Sequence, residues 1–193
     1  VLGAVGLSGW RYWESYQLDA KYEASRDYQQ LVADLQSDDA QATTARLSAF
    51  TSENRNQGYQ GLAALALASK AVEDRNLEEA AQLYRVATES AEPQALRQVA
   101  GLRLARVQLQ AGLLDEARLT VDRFEAVGFE AMAAQIRGDI LHAQGDWDGA
   151  REAYQLAIDS GSSNSAVLQM KVDDLAPVAA SEEQPEPEVT EDS

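Results

Sequence analysis

The sequence predicts an all-α solenoid of antiparallel helix pairs, and three observations predict it. Alanine, leucine, glutamate, glutamine and arginine dominate, and these are good helix formers. No run of alternating β-branched residues argues for a sheet. One short pattern occurs three times, as Asn76-Leu77-Glu78-Glu79-Ala80, Leu113-Leu114-Asp115-Glu116-Ala117 and Asp146-Trp147-Asp148-Gly149-Ala150. Each copy follows an apolar helical stretch and opens a second helix. Its alanines, Ala80, Ala117 and Ala150, stand 37 and 33 residues apart.

A period of about 34 residues with small residues at these places is the pattern of tetratricopeptide repeats, which stack helix pairs. The third copy is the clearest. Gly138 suits a close helix crossing, Leu141 follows, and Gly145 favours the left-handed backbone that ends a helix. Asp146 is a cap for the next helix, and Ala150, Tyr154 and Ala157 then share one helical face. The second copy places Ala105, Gly112, Ala117, Val121 and Phe124 in the same slots. The first places Ala68, Arg75, Ala80, Tyr84 and Ala87 there, and Pro93 closes it. The repeats therefore run over about 61–93, 98–130 and 131–163. Further helices flank them. Trp13, Tyr16, Ala20, Ala24, Tyr28, Leu31 and Leu35 mark an amphipathic helix, and a second, capped by Ser37 or Asp38, runs to about Asn54. A final helix from Ser165 to Leu175, capped by Ser163 or Asn164, covers the last apolar face. The repeat domain as a whole spans 14–175.

The two ends differ from this body. Residues 1–10 carry no charge, and Trp10, Arg11, Tyr12 and Trp13 follow as an interfacial belt of amphipathic rings with one arginine. Ten residues do not span a bilayer, which needs about 20 in a helix. Residues 1–13 read as the outer part of a longer transmembrane helix. Residues 176–193 hold six acids, no base and three of the four prolines, a composition expected to be disordered. The formal net charge is −16, of which this tail supplies six. That balance argues against nucleic acid, which demands a basic patch, and against broad contact with anionic lipid.

Catalytic and metal chemistry find little to work with. The chain has no cysteine, so a disulfide, a thiolate nucleophile and a cysteine metal site are excluded. His142 is the only histidine, and no glycine-rich phosphate loop is present. The expectation is a protein that is not an enzyme and takes no cofactor, metal or small-molecule substrate.

Four segments carry a family resemblance: Gly9-Trp10-Arg11-Tyr12-Trp13, the run Leu102 to Gln108, Gln135-Ile136-Arg137-Gly138-Asp139, and Gln169-Met170-Lys171-Val172. In this order the chain from Val1 to about Leu175 resembles the YfgM family, ancillary subunits of the bacterial SecYEG translocon. The resemblance implies one transmembrane helix in the inner membrane and a repeat domain in the periplasm. It also implies association with SecYEG and with the membrane-anchored chaperone PpiD. The function it implies is a scaffold for protein–protein interaction during export. A periplasmic assembly factor for another envelope complex is the alternative. The resemblance gives the acidic tail no role.

In tetratricopeptide repeats the first helix of each pair lines a groove. Carried onto this register, the lining is Leu62, Leu65, Ser69 and Val72, then Val99, Leu102, Arg106 and Leu109, then Met132, Gln135, Asp139 and His142. Seven of these twelve are large and apolar, more than a solvated groove needs. Either a partner segment covers them or part of this chain does.

Overall fold

The computed structural model describes residues 57–175 together with 25, 26, 28–30 and 33. Residues 57–175 form seven helices: α1 (Gln57–Glu73), α2 (Leu77–Ser90), α3 (Gln94–Gln110), α4 (Leu114–Phe124), α5 (Glu130–Gln144), α6 (Trp147–Asp159) and α7 (Ser165–Asp174). Each helix packs on the next in the chain, and α3 also touches α5. There is no strand among the described residues. The architecture is the all-α solenoid the repeats predict.

The hairpin turns are built alike. Arg75, Gly112 and Gly145 sit at φ 61°, 78° and 80°. The following amide then reaches back five residues: Asn76 N–H to Ala71 O (2.8 Å), Leu113 N–H to Gln108 O (2.9 Å) and Asp146 N–H to Leu141 O (3.0 Å). This 6→1 closure satisfies carbonyls that the helix end leaves free. Glycine takes the left-handed geometry without cost, whereas Arg75 holds it with a side chain. The Asn76 and Asp146 side chains then cap α2 and α6, accepting from Glu79 N–H and Gly149 N–H. Asn164 occupies the cap position of α7, but its side chain accepts no such bond.

Small residues set how closely the helices cross. A Cβ on Gly138 would lie 2.5 Å from the Tyr154 ring, and one on Gly101 would collide with the Phe124 ring. Ala68, Ala80, Ala105, Ala117, Ala134 and Ala150 are all buried at such crossings. Second helices bury one stripe: Ala80, Leu83, Tyr84 and Ala87 in α2, Ala117 and Val121 in α4, Ala150, Tyr154 and Ala157 in α6. First helices are covered on more sides. In α3 even consecutive residues are buried, among them Gly101, Leu102, Leu104 and Ala105, because α2, α4 and α5 all pack on it.

Three core clusters follow one another along the array. The first joins α1, α2 and α3 around Leu67, Leu83, Tyr84 and Leu104. The second joins α3, α4 and α5 around Leu102, Val121, Ile136 and Ile140. The third joins α5, α6 and α7 around Ala134, Tyr154 and Leu168. Arg137 of α5 donates to both Asp122 and Glu125 and so ties it to α4 and the turn that follows. That hydrogen bond, with the charge of Arg137, holds the Glu125 carboxyl below the usual carboxylate range. The end helix covers the last face through Leu168 and partly Val172, while Val167 and Met170 remain exposed.

Residues 25, 26, 28–30 and 33 are helical, and Tyr28 packs on the first cluster with its ring 6.0 Å from that of Tyr59. The other expected features of the amino-terminal region, the interfacial belt Trp10–Trp13 and the tail from 176 onward lie outside the described residues. No helix among the described residues is long and apolar enough to cross a membrane.

Ala150 is 0% exposed against α5. Ala150→Leu overpacks this crossing and is expected to lower stability by roughly 1–3 kcal/mol. Denaturant unfolding followed by circular dichroism measures it; an unchanged midpoint contradicts the crossing.

Candidate partner-binding face

The groove positions divide into two groups. Leu65 and Leu102, at 8% and 0% exposure, lie inside the first and second core clusters. Val72 packs partly buried on the first cluster, and Leu109 and Met132 on the second. Five of the seven apolar positions are thus covered by the chain's own helices. Leu62 and Val99 are half-buried and belong to neither cluster. Most of the apolar content that marked this stripe in the sequence is core.

What the first helices present beside these residues is polar, and it is linked from helix to helix. Ser69 of α1 donates to Leu65 O and sits 3.5 Å from the Tyr84 hydroxyl of α2. Arg103 of α3 reaches across to Ser69 Oγ at 3.4 Å. Asp139 of α5 accepts from the Tyr154 hydroxyl of α6 at 2.8 Å and from Lys171 of α7 at 2.5 Å. The Lys171 ammonium also lies 4.8 Å from the centre of the Tyr154 ring. A cavity of about 140 Å³ opens here, lined by Asp139, His142, Tyr154, Lys171, Asp174 and Leu175. His142 itself is exposed and stacks edge-on against Trp147 at 5.0 Å. Gln135 is half-buried on the same helix.

A tyrosine of the second helix buttresses this face in the outer two repeats. Tyr84 and Tyr154 occupy one repeat slot, and Ser69 and Asp139, which they meet, occupy another. Burial pushes the Tyr154 phenol well above its ordinary value, and the bond to Asp139 adds to that. The hydroxyl therefore stays a donor across the physiological range. In the middle repeat the tyrosine slot holds Val121, and the slot of Ser69 and Asp139 holds Arg106. Arg106 has no hydrogen-bond or ion-pair partner among the described residues. Burial lowers its guanidinium below the ordinary value, opposed by the charge of Asp139.

Sequence reasoning placed Arg106, Gln135, Asp139 and His142 here and missed Arg103, Lys171 and the two phenols. The recurrence of tyrosine at slots 84 and 154 was the available signal. The described residues hold no group of three ligating side chains that could bind a metal ion.

The two buttresses differ in strength, because the Tyr84 contact at 3.5 Å is at the limit of a hydrogen bond whereas the Tyr154 bond is short and ends on a carboxylate. Tyr154→Phe is expected to lower stability by about 1.5–3 kcal/mol, and Tyr84→Phe by less than about 1 kcal/mol. Equal losses in parallel denaturant titrations contradict this geometry.

Comparison with known proteins places the array in a family. Residues 1–177 match the family described as tetratricopeptide repeat-like domain. A protein of Escherichia coli (strain K12) named ancillary SecYEG translocon subunit is 36% identical over 178 residues, covering 91% of this chain and 85% of that protein. Proteins of the same name from Haemophilus influenzae and Aggregatibacter actinomycetemcomitans are 33% and 30% identical, each covering 91% of this chain and 86% of theirs. Neither the family description nor these names denote an enzyme. No solved structure matches the chain. The repeat architecture, the family match over nearly the whole sequence and the relatives' shared name lead to one conclusion: the chain belongs to the YfgM family of ancillary SecYEG translocon subunits, built on a tetratricopeptide repeat-like domain.

Proposed function

We propose that this protein is a membrane-anchored scaffold at the Sec translocon, with its repeat domain in the periplasm. In this reading it holds SecYEG and a membrane-anchored periplasmic chaperone, PpiD, together during export. The observation that carries the reading is the likeness to ancillary SecYEG translocon subunits over 91% of the chain. The architecture supports it, since a helical array with a linked polar face offers an extended docking surface. The uncharged residues 1–10 and the belt Trp10, Arg11, Tyr12 and Trp13 support the anchor.

Partner contact falls on the accessible part of the first-helix face: Leu62, Val99, Arg106, Gln135 and His142. The buried Leu65 and Leu102 support that face from beneath. Asp at either of those two positions breaks the core and tests folding, not binding. Leu62 and Val99 are the apolar anchors left to a partner, and burying such a side chain is worth roughly 1.5–3 kcal/mol.

The test is recovery from membranes. The full-length protein is expected to stay in carbonate-washed membranes and to bring SecYEG and PpiD with it after mild solubilisation. A Leu62→Asp/Val99→Asp variant with an unchanged circular dichroism spectrum is expected to lose most of that recovery. Release by carbonate, absence of both partners, or full recovery by the folded double variant contradicts the proposal.

A further inference from the structure

The middle of the first-helix face carries two guanidinium groups, Arg103 and Arg106, with no ion pair among the described residues. Among the described residues Arg106 has no hydrogen-bond or ion-pair partner, although the charge of Asp139 acts on it, and Arg103 makes a 3.4 Å contact with the neutral Ser69 hydroxyl. Asp139, whose charge acts on Arg106, is already engaged by Tyr154 and by Lys171. Two guanidinium groups on adjacent turns of α3 therefore have no carboxylate bonded to them among the described residues, in a chain whose net charge is −16. Guanidinium donors are matched by carboxylates, singly or in bidentate pairs.

The chain carries a carboxylate-rich segment of its own at the edge of this face. Leu175, the residue that follows α7, lines the cavity with Asp139 and Lys171. From there the sequence reaches Glu182 and Glu183 in seven and eight residues, then Glu186 and Glu188, with no base to 193. The path from α7 across α5 to α3 crosses two helix spacings, each about 8–10 Å. Seven extended residues span more than about 20 Å, enough to bring the first acid pair to Arg103 and Arg106. Pro185 and Pro187 disfavour a helix and suit an extended occupant. Tethering makes the encounter intramolecular, at an effective concentration in the millimolar range for a short link.

We propose that the acidic segment Glu182–Glu188 docks in cis on the first-helix face, with its carboxylates on Arg103 and Arg106. The contact lies within one chain, so it stands or falls independently of the translocon reading. It makes the tail a built-in occupant that any acidic ligand for this face must displace.

The absence of cysteine permits a direct test on the full chain. A nitroxide on Ser181→Cys is expected to broaden the amide signals around Arg103, Arg106 and Asp139 at low ionic strength. The broadening disappears in about 1 M salt, where the screening length is near 3 Å. It also disappears when Glu182, Glu183, Glu186 and Glu188 are all changed to Gln, a variant that leaves every described helix untouched. Arg103→Gln/Arg106→Gln gives the same loss from the other side, with circular dichroism confirming the fold. Broadening that is absent, that falls on the second helices, or that survives the four Gln substitutions overturns the proposal. Broadening of isotope-labelled protein by spin-labelled protein in a mixture assigns the tail to a second copy and overturns the cis contact.

Discussion

The whole array depends on how closely the two helices of each pair approach. Gly138 and Gly101 leave no room for a Cβ against the rings of Tyr154 and Phe124, and Ala80, Ala117 and Ala150 are fully buried on the second helices. Without that approach a second-helix tyrosine would not reach past its partner helix to Ser69 or Asp139. The same crossings orient α1, α3, α5 and α7, so that residues one repeat apart come into register on one face. A larger side chain at a crossing shifts a helix, and the shift is passed to the next pair because each helix packs on both neighbours.

That face owes its order to hydrogen bonds from behind. Tyr154 and Lys171 fix the Asp139 carboxylate, and Ser69 is held by its own helix and approached by Tyr84 and Arg103. The middle repeat differs because Val121 replaces the phenol. Val121 fills the second core cluster well, at 0% exposure, but offers no hydrogen bond. Arg106 is left half-buried at the centre of the face, with no hydrogen bond or ion pair among the described residues. The outer pairs thus join their two helices through the tyrosine hydroxyl, and the middle pair makes no such bond.

The repeat period, the left-handed turn at Gly145, the Asp146 cap and the buried Ala117, Ala150 and Tyr154 were all legible in the sequence, because each follows from local spacing and residue type. The lining of the groove was legible only in part. Leu102 and Leu65 read as groove residues because the register was carried over from a general repeat, and periodicity does not say which side of a first helix is covered. In α3, packed by three other helices, apolar residues are buried almost all round, and the exposed stripe falls on Arg103, one residue from Leu102. Lys171 was hidden for another reason. Its role depends on α7 lying beside α5, a contact 32 residues distant that no local pattern encodes.

The central claim is that the first-helix face, and not the second-helix side, meets the export machinery. Site-specific photocrosslinking in living cells tests it most directly, with a photoreactive residue placed in turn at His142 on that face and at Leu119, which is 62% exposed on α4. The account predicts adducts with a translocon subunit or PpiD from His142 and none from Leu119. Adducts from Leu119 alone would contradict it and move the contact to the second helices.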